Sequence, residues 1–132
     1  MLVQNIAAVP QQAYEAFQRA DIAAVLSLLS DDVEWILPAI DNVSFSGARS
    51  GRAQVAEFFS SLAPQQDVIR FEPREFIAGE EKVVALGSYE WKVRSNGRTW
   101  RSDFAHVFTV RDGKIVRFQE FMDSAAAEVA YR

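Results

Sequence analysis

Cysteine is absent from this sequence, and histidine occurs once, as His106. The first absence removes thiol nucleophiles, thiolate metal centres and any disulfide framework, and it suits a reducing compartment. The second leaves a metal ion only scattered carboxylates, so neither a metal nor another cofactor is expected. Just 6 glycines and 4 prolines punctuate the 132 residues, no segment repeats, and no linker divides the chain, so one domain spanning 1–132 is expected. No apolar run approaches the roughly 20 residues of a membrane span, and Met1 to Pro10 lacks the basic start of a secretory leader. The 14 basic and 18 acidic residues are interspersed, for a net charge of −4. Without a basic face, nucleic acid is not an expected partner. A cytoplasmic, membrane-free protein is the expectation that remains.

What is present is an ordinary globule, 49% hydrophobic and 24% charged, of a size that buries roughly two-thirds of its unfolded surface. Its first half has helical spacing. Pro10 suits a first turn ahead of Ala13, Tyr14, Phe17 and Ala20, and Asp21 is a good N-cap for a short helix carrying Ile22, Val25, Leu26 and Leu29. Asp31 and Asp32 then read as a solvated helix end, and Val33 to Leu37, before Pro38, as a strand. A polar stretch from Asp41 to Gly51 leads to Val55, Phe58, Phe59 and Leu62, the apolar stripe of a third helix. Beyond Pro64 the period becomes two. Strands are expected at Val68–Ala78, Lys82–Arg94, Thr99–Val110 and Lys114–Met122, separated by Ala78-Gly79, Asn96-Gly97 and Asp112-Gly113. The Ala-rich tail from Ser124 reads as a frayed helical end. Helices followed by a strand meander give an α+β domain with the helices on one face of a sheet.

Turn chemistry predicts registers. A two-residue turn at Asn96-Gly97 pairs Tyr89 with Phe104 and Gly87 with His106, on a face shared with Trp91, Val93, Trp100 and Phe108. A glycine opposite the histidine implies either a bulge that lets the sheet curve or room for a ligand. The next hairpin allows two readings. A two-residue Asp112-Gly113 turn puts His106 and Glu120 on opposite faces. A three-residue Arg111-Asp112-Gly113 turn with a glycine bulge pairs His106 with Phe118 and brings Glu120 to the histidine's face, diagonal to it. The opposite face, with Val84, Leu86, Ala105, Val107, Ile115 and Phe121, is also apolar and needs a cover that the helices cannot supply. A second subunit is the simplest, so a homodimer through the outer sheet face is expected.

Three segments, Arg19 to Trp35, Ser50 to Phe59 and Ala105 to Asp123, resemble the SnoaL-like relatives of polyketide cyclases. That family lies in the nuclear transport factor 2-like superfamily with ketosteroid isomerase and limonene-epoxide hydrolase. The resemblance implies a cystatin-like cone, in which N-terminal helices pack on a strongly curved antiparallel sheet and enclose a pocket. It places the cyclases' acid/base carboxylate at Glu120 and the histidine that faces it at His106, and it selects the bulged hairpin. The base of the steroid isomerases falls on Leu37, their phenol on Ala13 and their acid donor on His106, so isomerase chemistry on steroids is not expected. Of the epoxide hydrolases' three groups, at Gly87, Tyr89 and Glu120, only the last is retained. The resemblance leaves three functions open: acid/base catalysis next to a carbonyl, a non-catalytic dimeric ligand-binding or accessory protein, and hydration of an epoxide.

The candidate site is therefore Glu120 and His106, in a pocket lined by Tyr14, Phe17, Trp35, Leu37, Phe58, Phe59, Gly87, Tyr89, Trp91, Phe104, Phe118 and Met122. Its ligand would be small, apolar or aromatic, and oxygenated. Each residue also has a plainer reading. A lone imidazole among aromatics is often a hydrogen-bonded core group, a strand-end glutamate is often solvated, and aromatic side chains at helical spacing are often packing. A buried carboxylate without a partner, however, is rare, which makes Glu120 the harder of the two to assign to structure alone.

Overall fold

The computed structural model describes residues 5–132, and their elements follow the sequence closely. They are α1 (Ala8–Gln18), α2 (Ile22–Ser27), β1 (Leu29–Ile36), β2 (Ala48–Ser50), α3 (Arg52–Leu62), β3 (Gln66–Ala78), β4 (Lys82–Val93), β5 (Thr99–Arg111), β6 (Lys114–Met122) and α4 (Ser124–Ala130). The six strands form one sheet in the order β2-β1-β6-β5-β4-β3. It is antiparallel except where β1 runs parallel to β6. The Asp21 carboxylate accepts the Ala24 N–H, as an N-cap should. Leu29, which has helical spacing, instead starts β1. It is fully buried and opposite Ile115, and tertiary pairing overrides the local pattern there. The Asp31 and Asp32 side chains are thus exposed on a strand, and Asp31 pairs with Arg52.

The tail is not frayed. Asp123 caps α4 through the Ala126 N–H, and Ala127 and Ala130 are buried. Asn96 donates from Nδ2 to the Ala130 carbonyl, and Arg98 donates to that of Val129. This docking also explains why the β4–β5 turn is longer than two residues. Asn96 has no positive φ, as a type I′ turn would require, and Val93 N–H bonds to the Arg98 carbonyl across a four-residue loop, Arg94 to Gly97. The register therefore moves by two residues, to Tyr89↔Ser102, Gly87↔Phe104 and Ala85↔His106. Because the shift is even, the residues sharing the inner face are unchanged.

The β5–β6 hairpin follows neither predicted register. Asp112 and Gly113, with φ of 51° and 75°, make a two-residue turn that pairs Arg111 with Lys114. The pairing then slips between Thr109 and Val110, leaving Val116 as an extra residue on β6. Beyond that bulge His106 stands directly opposite Glu120, on one face with it, and not diagonal to it. The same bulge turns Ile115 inward, where it is fully buried beside Val110. Ile115 therefore leaves the outer apolar set, on which Phe121 is 51% exposed.

At Gly87 the structure decides between the two readings of the glycine and removes it from the pocket wall. Its position is filled by neighbours. A Cβ there would lie 2.3 Å from the Glu72 carbonyl oxygen, 2.7 Å from Phe104 Cζ and 2.9 Å from Pro73 Cα. The glycine permits β3 to approach where its register slips past Pro73, so it accommodates sheet curvature and offers no room to a ligand. Gly87→Ala should destabilise the fold by about 1–3 kcal/mol, the usual cost of overpacking, as a lower urea midpoint with an unchanged slope.

Candidate active site

Helices α1 and α3, β1, the loop after it, and the inner face of the sheet enclose a cavity of about 110 Å³. At roughly 10–15 Å³ for each water site, that is space for several waters or one small ligand. Tyr14, Phe17, Trp35, Leu37, Phe58, Phe59, Tyr89, Trp91, Phe118 and Met122 line it, together with His106 and Glu120. The predicted wall residues come together, with two exceptions. Gly87 is buried against β3, and Phe104 lies behind the wall, stacked on the His106 ring at 4.1 Å. Its effect is to fix the plane of the imidazole.

The polar groups form one chain of hydrogen bonds. Tyr14 Oη is 2.7 Å from His106 Nδ1, His106 Nε2 is 2.6 Å from Glu120 Oε2, and Tyr89 Oη is 3.1 Å from the same carboxylate oxygen. With the carboxylate ionised and the imidazole neutral, the donors are determined by what each atom can do. A carboxylate only accepts, so the ring proton sits on Nε2, which leaves Nδ1 as an acceptor for the Tyr14 hydroxyl. The Tyr89 hydroxyl donates to Oε2. Glu120 Oε1 accepts no hydrogen bond among the described residues, and its side chain is 12% exposed. The arrangement thus presents one anchored and one open carboxylate oxygen.

Burial, and then the Glu120 charge, push both the Tyr14 and Tyr89 phenols well above the usual tyrosine range. These hydroxyls remain donors at any physiological pH, and neither is a base. No phenol stands at Ala13, where the isomerase resemblance would put one, but its neighbour Tyr14 supplies one. Among the described residues no three His, Asp or Glu side chains converge as metal ligands. No helix among them is long and apolar enough to cross a membrane.

With that geometry in view, the likeness to known proteins is specific. A model of the SnoaL-like domain matches residues 11–118. The chain belongs to the SnoaL-like family. Among solved structures, this SnoaL-like chain is similar to an NTF2-like protein of Burkholderia xenovorans, at 27% identity over 100% of this chain and 99% of that one, with a TM-score of 0.89. It is also similar to an NTF2-like protein of unknown function from Burkholderia pseudomallei, at 29% identity over 98% of each chain and a TM-score of 0.84. TerC, co-crystallised with polyporic acid, is 29% identical over 97% of this chain and 98% of its own, with a TM-score of 0.84. No curated protein matches the sequence.

Some wall residues carried no signal in the sequence: Phe45, Phe71 and Gln66, the last an internal polar group at the first position of β3. Trp100 and Phe108, expected on the inner face, line the cavity too. Phe45 lies in a stretch that looks polar and flexible, and Gln66 lies two residues before the point where the strand's period becomes legible. Trp35 Nε1 is buried without a partner, its ring held by stacking on Phe118 at 4.1 Å.

The tyrosines give a titration test. Tyr131, like Tyr14 and Tyr89, is raised by burial, so all three of the protein's tyrosines hold their protons in the folded state beyond the usual pKa. The unfolded chain releases them near about pH 10, so the stabilising effect is full below that pH and declines as the pH rises further. Tyrosinate absorbance should stay absent from the folded protein above pH ~10 and appear together with loss of secondary structure. Early titration of two or more phenols in the folded state would contradict the buried network.

Proposed function

We propose that this protein is an acid–base enzyme acting on a small, apolar, oxygenated molecule, with Glu120 as the proton-transferring group. The observation that carries this reading is the half-anchored carboxylate. Two donors meet on Oε2 while Oε1 accepts nothing among the described residues, at the wall of an aromatic cavity. The most compatible reaction is removal of a proton from a carbon next to a carbonyl. Glu120 takes the proton, the C–H electron pair moves toward the carbonyl carbon, and the carbonyl oxygen becomes an enolate. Return of the proton to another atom completes the isomerisation or ring closure. His106, engaged through both ring nitrogens, orients the carboxylate and is not itself the base. The two un-ionised phenols lend hydrogen bonds, and exclusion of water by the aromatic wall strengthens each of these contacts. The co-crystallisation of TerC with polyporic acid supports an organic ligand in this fold.

Deuterium incorporation from deuterium oxide into β-tetralone and related aromatic ketones, followed by NMR, tests the chemistry. Exchange above background should fall about 10²–10⁴-fold in Glu120→Gln while the folded spectrum persists. Saturable binding of the same ketones with no exchange would replace the enzyme by a ligand carrier.

Assembly belongs to the same reading. The outer face carries Val84, Leu86, Ala105 and Val107, with Ile77 52% and Phe121 51% exposed. This supports pairing with a second copy across the sheet. Light scattering at micromolar concentration should give twice the chain mass, and Phe121→Glu should halve it; a monomeric parent protein would exclude the pairing.

A further inference from the structure

Gln66 is 5% exposed, it lines the cavity, and the acid–base reading gives it no role. Its Oε1 accepts from Trp100 Nε1 at 3.3 Å and from Tyr131 Oη at 2.6 Å. An indole N–H can only donate, so the orientation of the carboxamide is determined: oxygen toward the tryptophan, NH2 the other way. That NH2 makes no hydrogen bond to any described residue. Nor is it sealed: among the described residues only Trp35 Nε1 and Arg117 Nε are both buried and unpartnered. Gln66 is thus a buried residue of the cavity lining that keeps two amide donors without a partner among the described residues.

The position relative to Glu120 can be read from Tyr89. Its ring lies 5.5 Å from that of Trp100, the partner of Gln66, while its hydroxyl reaches Glu120. Two aromatic side chains, Trp100 and Tyr89, therefore link the two polar ends, and the wall between them is aromatic. One end accepts a proton and the other only donates. No Lys or Arg lines the cavity, so a ligand with its own negative charge would be buried beside Glu120 without a fixed cation.

We propose that Gln66 is a specificity-determining residue whose carboxamide NH2 donates to a carbonyl oxygen at the far end of the ligand from its acidic proton, so that the site selects neutral, flat, apolar molecules with a proton to lose at one end and a carbonyl at the other. This rests on the cavity being the ligand site. It would also explain why a glutamine stands in an aromatic wall. An apolar residue of similar size would orphan the Trp100 and Tyr131 donors, and only a carboxamide satisfies them while keeping donors for the ligand.

Two probes separate the possibilities: an acetylnaphthol with hydroxyl and acetyl at opposite ends of the ring pair, and the ethylnaphthol that lacks the carbonyl. The parent protein should bind the ketone roughly five- to tenfold more tightly, the size of one hydrogen bond. Gln66→Glu keeps an acceptor for Trp100 and Tyr131 but removes both donors, and it should abolish that preference. In the parent protein the Gln66 side-chain amide resonances should shift with the ketone and stay in place with the ethyl compound, a readout that needs no variant. Equal binding of both probes, or a preference that survives in Gln66→Glu, overturns the role of Gln66 and leaves the cavity as a ligand site. Binding of neither probe overturns the cavity reading and this proposal with it.

Discussion

Val116 has no partner on β5, and every β6 side chain beyond it owes its direction to that extra residue. Side chains on a strand alternate faces, so one inserted residue exchanges the two faces from that point on. Before the bulge, Ile115 points into the core beside Val110. After it, Phe118 and Glu120 point to the same side. A strand without the bulge would send Glu120 to the outer surface if Ile115 kept its place, and the histidine opposite would have no carboxylate. The polar chain and the stacking of Trp35 on Phe118 both follow from that one irregularity.

The polar chain is tolerable in such surroundings because its buried members are joined. Moving a carboxylate and an imidazole from water into an aromatic interior is costly, and each hydrogen bond along Tyr14, His106, Glu120 and Tyr89 offsets part of that cost. Phe104 and Phe118 add geometric control from the sides, one stacked on the imidazole at 4.1 Å and the other edge-on at 4.8 Å. The result is a carboxylate whose position is set by its neighbours before any ligand arrives. That preorganisation is what positioned acid–base chemistry requires.

The second polar locus depends on a different part of the chain. Gln66 is oriented by Trp100 from β5 and by Tyr131 from the end of α4, and α4 is itself held by Asn96 and Arg98 from the β4–β5 loop. The C-terminal segment thus takes part in the site through the group it orients and through Ala127 in the cavity wall. A tail helix of only 7 residues is stable here because of these contacts, since so short a helix has little stability of its own.

Local rules made much of this legible. Periodicity marked the helical stripe from Val55 to Leu62 and the long strands, the Asp21 cap marked α2, and the alternation along β4 and β5 put Tyr89, Trp91, His106 and Phe108 on one face. The residues of the SnoaL-like resemblance pointed to Glu120 and His106, which stand together. Tertiary structure decided what no local pattern encodes. The Asn96 side chain binds the end of a helix 34 residues away, which lengthens its turn and moves the register. In sequence Gly87 allows either sheet curvature or space for a ligand, and the close approach of Phe104 and β3 decides for curvature. Gln66 acquires direction only from an indole and a phenol brought to it by folding. Periods of two and 3.6 state which side of an element a residue occupies. Which atoms it meets there depends on where an extra residue is inserted and on which distant segment closes over it, and those are properties of the packed chain.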